Sequence, residues 1–107
     1  MSTNYPDTHL FLNGEWREAA AKESLEIINP ATEEVIGKVS HARKEDLDIA
    51  LNAAESAFNS WKNVSAYERS KILRKAADIV RSKADQIATL MTMEQGKPLI
   101  EAKMETM

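Results

Sequence analysis

The sequence has 107 residues, of which 43% are hydrophobic and 29% are charged, and its formal net charge is −3. This balance is typical of one small soluble globular domain and not of a disordered segment. The mixed charges argue against a nucleic-acid partner, and the lack of a run of roughly 20 apolar residues argues against a membrane partner. The polar start carries no secretory signal, and the chain has no cysteine, which excludes disulfides and a thiol nucleophile, so we expect a cytoplasmic protein.

The spacing of apolar residues divides the sequence into three parts. Residues 1–9 predict a polar tail, residues 10–41 predict strands and turns, and residues 42–107 predict helices. As a whole the pattern predicts a mixed α+β unit with an N-terminal β-hairpin and further strands, followed by three to four helices.

The predicted hairpin depends on Asn13-Gly14, a dipeptide that tolerates the positive φ angles of a tight turn. An apolar run precedes it at residues 10–12, and the returning strand places Trp16 and Arg17 on opposite faces. Apolar residues on both sides of the turn favour a hairpin over the alternative, a mobile loop.

Two more strands are predicted over residues 25–28 and 35–39. The first ends at Asn29-Pro30, because proline has no amide hydrogen for the ladder. Residues 32–34 would then turn the chain into the next strand.

Helical periodicity begins after residue 42 and continues to the end. The first helix would end near Lys62, and its apolar face consists of Leu47, Ala50, Leu51, Ala54, Ala57, Phe58 and Trp61. The acidic pair Glu45-Asp46 at its start is explained by the helix macrodipole. Ser65 and Glu68 match the capping box that opens a second helix, whose apolar face consists of Ile72, Leu73, Ala76, Ile79 and Val80.

Residues that typically begin or end helices predict two further helices in the last third of the sequence. A weaker capping signal at residues 82–85 indicates a break or bend. Gly96 supplies a left-handed C-cap position, and Pro98 suits the first turn of the helix that follows. No stop signal ends that helix before Met107, which hints that the natural chain is longer.

Few side chains are candidates for chemistry. His9 and His41 lack metal-ligand spacing, and we interpret both as ordinary surface or packing residues. The three glycines are scattered, so no phosphate-binding loop is predicted. Lys97 could bind a phosphate, but a surface lysine near a helix end is the simpler interpretation.

Trp16 and Trp61 have two interpretations, a ligand pocket or core packing. Their apolar faces favour core packing. The methionines Met91, Met93, Met104 and Met107 could form a soft binding surface, but a helix face that belongs to a larger core explains them better. From the residues alone, the unit has no catalytic or cofactor-binding residue.

The order of five motifs is more specific than any one of them. Together they resemble the N-terminal region of the aldehyde dehydrogenase family. The matching segments are residues 11–16, 28–32, 46–61, 65–74 and 93–99. Residues 90–99 most resemble the succinate-semialdehyde dehydrogenase group, although Met104 stands where that group often has glycine.

The resemblance implies a fold and an activity for a longer protein. The chain would be the outer part of the family's Rossmann-like cofactor domain, so the complete fold would be α/β. A cysteine nucleophile would attack the aldehyde, NAD or NADP would accept hydride, and a glutamate base would help to hydrolyse the thioester. None of these groups falls in this chain. The full-length protein would bind the NAD or NADP and an aldehyde substrate, and would form a homo-oligomer.

The resemblance also implies one minor site, for a monovalent cation. Its ligands would be the main-chain carbonyls of Ile27 and Ile28 and the carboxylate of Glu94, since oxygen ligands suit a hard cation. The alternative is that Ile28 is a core strand residue and Glu94 caps or pairs locally. For the whole chain, the alternative to an enzyme portion is a truncated, freestanding helical interaction module without activity.

Overall fold

The first element of the computed structural model, which describes residues 4–107, is a tight β-hairpin. Strands β1 (Leu10–Leu12) and β2 (Glu15–Arg17) are antiparallel, with Leu12 opposite Glu15. Asn13 and Gly14 have φ angles of 52° and 80°, the two positive values that a two-residue type I′ turn requires. The predicted hairpin is therefore confirmed.

Strands β3 (Ser24–Ile28) and β4 (Val35–Ser40) form a second two-stranded sheet. The turn between them is held by Asn29, whose amide donates to the Glu34 carbonyl at 2.9 Å and whose side-chain oxygen accepts from the Ala31 amide at 2.9 Å. Such a local side-chain bond replaces a backbone bond of the turn. Both strands lie where the sequence predicts them, within one residue at an end.

One compact unit consists of residues 6–26 and 37–65 and contains helix α1 (Lys44–Trp61). Within it, the N-terminal segment runs parallel to β4. The Thr8 amide donates to the Lys38 carbonyl, and the Ser40 amide donates to the Thr8 carbonyl, each at 2.8 Å. These bonds fix part of the predicted polar tail, while residues 1–3 of that tail lie outside the described residues.

Asp46 fixes the start of α1 and is almost fully buried, at 1% exposure. One carboxylate oxygen accepts from the Arg43 amide at 3.0 Å, as in the reciprocal half of a capping box, and the other accepts from the Ala20 amide at 2.9 Å. The macrodipole alone is thus an incomplete explanation of this acid. The hydrogen bonds from Arg43 and Ala20, and then the charge of Arg17, lower the pKa of Asp46 although burial opposes them.

The other compact unit consists of residues 4–5, 27–36 and 66–107 and contains helices α2 (Ala66–Ser82), α3 (Ala84–Gln95) and α4 (Leu99–Thr106). Helix α2 begins directly after Ser65, and a break at Lys83 separates it from α3, as the capping signals predict. Pro98 lies one position earlier than expected. With ψ at 141° it precedes the first helical residue of α4.

Gly96 ends α3 in the left-handed conformation, with φ at 83°, and its amide donates to the Thr92 carbonyl at 2.8 Å. This confirms the predicted C-cap. A Cβ at position 96 would also lie 2.9 Å from Cγ of Pro30, so the position requires glycine for space as well as for its backbone angle. Helices α3 and α4 pack against each other, and each contributes one completely buried alanine, Ala88 and Ala102.

Large apolar side chains on the helices stay exposed in residues 4–107. Leu47, Leu51 and Phe58 of α1 are 56–60% exposed, and Ile72 and Leu73 of α2 are 54% and 64% exposed. The helices have the predicted apolar faces, but those faces have no cover in this part of the protein. No helix in the described chain has the length and apolar character to cross a bilayer.

The two bonds that Asp46 accepts predict a local, pH-dependent opening. Ionised Asp46 should protect the Ala20 and Arg43 amides from hydrogen exchange. Because its pKa is lowered in the folded state, this protection should be complete above the ordinary pKa and be lost as pH falls through the lowered value. Asp46→Ala should reduce protection of both amides by about tenfold, the effect of one hydrogen bond.

The measurement is amide exchange corrected for the intrinsic rate at each pH. Asp48→Ala on the exposed side of the same helix is the matched control and should leave both amides unchanged. Equal protection in Asp46→Ala and in the unsubstituted chain would show that the carboxylate does not hold α1 in place.

Candidate functional site

Glu94, the proposed acidic cation ligand, lies in the last turn of α3 and already has one partner. The Tyr5 hydroxyl donates a hydrogen bond to its Oε2. Burial, followed by this hydrogen bond and the negative charge of Glu94, raises the pKa of Tyr5 to about 12. Tyr5 therefore stays protonated at neutral pH, and the carboxylate of Glu94 is oriented by a neutral donor.

The other two predicted ligands, Ile27 and Ile28, end β3 in the same compact unit as Glu94. Ile27 is half-buried, whereas Ile28 is 51% exposed, so the interpretation of Ile28 as a core residue is wrong for this chain. Their carbonyl oxygens belong to a class that can hold a hard cation. Across the described range, the structure has no group of three or more His, Cys, Asp or Glu side chains that could hold a metal ion.

Lys97 follows the C-cap of α3 and has a local partner. Its Nζ forms an ion pair with Oε1 of Glu105 on α4, and its side chain is 16% exposed. The simple interpretation of a surface lysine is therefore incomplete, because this side chain is largely buried against its own unit. The pairing with Glu105 also satisfies the charge that a phosphate would otherwise use.

A polar cavity of about 210 Å³ lies in the unit that contains α1. It is lined by side chains of both charges and by hydroxyl groups. These are Asp7, Thr8, His9, Glu18, Lys22, Glu23, Ser24, Lys38 and Ser40. His9 therefore lines a cleft that its sequence environment did not indicate, but the opposite charges around it compensate one another.

Neither tryptophan packs in a core within this chain. Trp16 is 68% exposed and Trp61 is 40% exposed, so the prediction of core packing is wrong for both. The reason is that the apolar faces on which they lie have no facing layer here. Trp16 instead packs against Phe11 across the hairpin, with ring centroids 4.8 Å apart.

Exposure also increases along the methionine group. Met91 and Met93 on α3 are half-buried, whereas Met104 and Met107 are 73% and 83% exposed. The sequence contains no cysteine, so this chain provides no thiol nucleophile for covalent catalysis.

Comparison with known proteins assigns the chain to a family. Residues 16–107 match the aldehyde dehydrogenase family model. The chain is 46% identical over 99 residues to aminoaldehyde dehydrogenase 2 of Solanum lycopersicum, a match that spans 91% of this chain and 20% of that protein. The chain therefore spans about a fifth of the length of the relatives that it matches.

Solved structures agree on the fold. A betaine aldehyde dehydrogenase of Staphylococcus aureus in complex with NAD+ is 37% identical, with a TM-score of 0.89 over 94% of this chain and 20% of that one. An E. coli NADP dependent enzyme is also 37% identical, with a TM-score of 0.91 over 94% of this chain and 21% of its own. The strands and helices thus form the N-terminal part of the family's α/β fold, and this chain belongs to the aldehyde dehydrogenase family.

Proposed function

We propose that this chain is the N-terminal portion of an NAD(P)-dependent aldehyde dehydrogenase, which oxidises an aldehyde to a carboxylate. The observation that carries the proposal is the family match over residues 16–107, combined with relatives about five times as long. Similar solved structures are described as an NAD+ complex and an NADP dependent enzyme, which supports either dinucleotide as the hydride acceptor.

The groups that carry out the reaction would lie in the rest of the protein, and this chain would contribute packing surfaces. A cysteine thiolate would add to the aldehyde, the resulting hemithioacetal would pass hydride to the nicotinamide, and water would then cleave the thioester. This sequence contains no cysteine and no glycine-rich dinucleotide motif, so the other four-fifths would supply these groups. The exposed apolar faces of α1 and α2 would cover the remainder of the cofactor domain.

The alternative of a freestanding helical interaction module makes a different prediction about the gene. An enzyme portion requires the reading frame to continue past Met107 into a segment that contains a cysteine nucleophile. A functional transcript that stops at this point would favour the module. The homo-oligomeric assembly and the cytoplasmic location stay predictions of the sequence.

Succinate semialdehyde is the substrate that we propose, because residues 90–99 resemble the group of enzymes that oxidise it. The inference is one of kinship, since nothing places this segment against a substrate. A substrate carboxylate would need a cationic partner, most simply an arginine in the remainder of the protein that makes a bidentate contact. The similarity to aminoaldehyde and betaine aldehyde dehydrogenases favours a second candidate, a positively charged aldehyde.

A substrate panel on the full-length enzyme distinguishes the two candidates. The panel contains succinate semialdehyde, an uncharged aldehyde and an aminoaldehyde of similar length, with NAD and NADP tested separately. We expect kcat/KM for succinate semialdehyde to exceed that for the uncharged aldehyde by about tenfold, the effect of one charge-assisted hydrogen bond.

The outcomes separate the substrate from the family activity. A preference for the aminoaldehyde would establish the second candidate, and no oxidation of any aldehyde would contradict the proposed function. The 107-residue chain alone should produce no NAD(P)H, because it lacks the nucleophile. Production of NAD(P)H by the purified chain would contradict the assignment of the reacting groups to the rest of the protein.

We also propose the monovalent cation site formed by the carbonyls of Ile27 and Ile28 and the carboxylate of Glu94. What supports it is that all three lie in one compact unit and that Tyr5 bonds one oxygen of Glu94 in the described structure. The alternative is that the pairing with Tyr5 is the whole role of Glu94.

Thermal unfolding of the full-length protein in chloride salts tests this site. Sodium or potassium should raise Tm by several degrees over tetramethylammonium at equal ionic strength, since ligand binding to the native state adds stability. Glu94→Gln should abolish this difference, whereas Glu101→Gln, at an exposed acid on α4, should keep it. If Glu94→Gln keeps the full difference, then Glu94 does not bind the cation.

A further inference from the structure

Asn13 lies at the tip of the β1–β2 hairpin and is the only asparagine in the sequence that is followed by glycine. We propose that Asn13 is a site of spontaneous modification, at which its side-chain amide is lost and the residue becomes aspartate or isoaspartate. The reaction needs only solvent water and no enzyme. It is independent of the proposed dehydrogenase function.

The geometry of the turn exposes the two reacting groups. Asn13 and Gly14 are both exposed, and the space that a Cβ would occupy on Gly14 has nothing within 4 Å. Gly14 therefore has open space where a side chain would stand, and it carries no substituent that would obstruct ring closure. Gly14 lies between the strands, outside the paired residues that run from Leu10 opposite Arg17 to Leu12 opposite Glu15.

Four of the five other asparagines are held or blocked against this reaction in the described structure. Asn29 precedes a proline, which has no amide hydrogen to lose, and its side-chain oxygen accepts from the Ala31 amide. Asn52 and Asn59 lie inside α1, where the helix holds the following amide. The side chain of Asn63 is held by donation to the Asn59 carbonyl at 3.0 Å.

The chemistry balances with water as the only co-reactant. The Gly14 nitrogen loses its proton to solvent and bonds to Cγ of Asn13, and the Cγ–Nδ2 bond breaks as ammonia leaves with a proton from solvent. Water then adds to one of the two carbonyl carbons of the five-membered imide. Opening at the main-chain carbonyl leaves Gly14 attached through Cγ, which is isoaspartate, whereas opening at Cγ leaves aspartate.

The short hairpin makes the required rearrangement accessible. Asn13 must rotate about its Cα–C and Cα–Cβ bonds for the Gly14 nitrogen to approach Cγ, and the fixed backbone of the turn restricts the first of these rotations. Each strand has only three residues, and a two-stranded ribbon of this length is marginally stable, so local opening is frequent.

Conversion of Asn13 to isoaspartate would disrupt the hairpin turn. Isoaspartate inserts one extra backbone atom between Leu12 and Glu15, where a type I′ turn accommodates two ordinary residues. The opposed pair Phe11 and Trp16 would then lose its alignment, and the tip would gain a negative charge.

Peptide mapping by mass spectrometry, after incubation of the full-length protein at mildly alkaline pH, tests the proposal. We expect the exchange of an amide for an acid to accumulate at Asn13 several-fold faster than at Asn59 or Asn63, with isoaspartate as the larger product. Asn13→Gly keeps a glycine pair suited to the turn and should abolish modification of this peptide. Asn59→Ala is the matched control and should leave the rate at Asn13 unchanged.

A parallel incubation in concentrated urea shows whether the folded hairpin changes the rate of modification at Asn13. Similar rates at Asn13 in buffer and in urea would support the proposal, because the native turn then does not protect the site. If Asn13 survives in buffer as long as Asn59 does and is lost only in urea, the hairpin protects it and the proposal is wrong.

Discussion

Very little apolar surface is enclosed within the part of the chain that the structure describes. The buried apolar side chains there are Ala19, Ala88 and Ala102, and Asp46 is the buried charged residue. An alanine removes little apolar area from water, whereas each ordered residue costs conformational entropy of about 1–2 kcal/mol. These three alanines by themselves therefore offset little of the cost of ordering two sheets and four helices.

Local interactions define the elements where a core does not. The positive φ angles of Asn13 and Gly14 set the hairpin, Gly96 ends α3, and Asp46 holds the start of α1. These local interactions specify geometry, but each contributes only modestly to the free energy of folding. The exposed faces of α1 and α2 would supply the missing contribution if a further layer covered them, as the proposed position inside a much longer enzyme provides.

The elements that the sequence predicted correctly are those whose cause is local. Asn13-Gly14, the break near Lys83 and the cap at Gly96 each depend on neighbours within a few residues. The contacts that escaped prediction are distant in sequence: the Asp46 carboxylate bonds an amide 26 residues away, and Tyr5 bonds Glu94 across 89 residues. The predicted burial of the two tryptophans was wrong for a different reason. Periodicity shows which face of an element is apolar but not whether another element covers that face.

The solution behaviour of the isolated chain tests whether these helix faces belong to a core larger than this chain. Sedimentation and calorimetry on one sample would measure its association and its unfolding. We expect self-association and a broad transition with little heat absorption, since large exposed apolar patches promote association. A monodisperse monomer with a sharp, cooperative transition would contradict it.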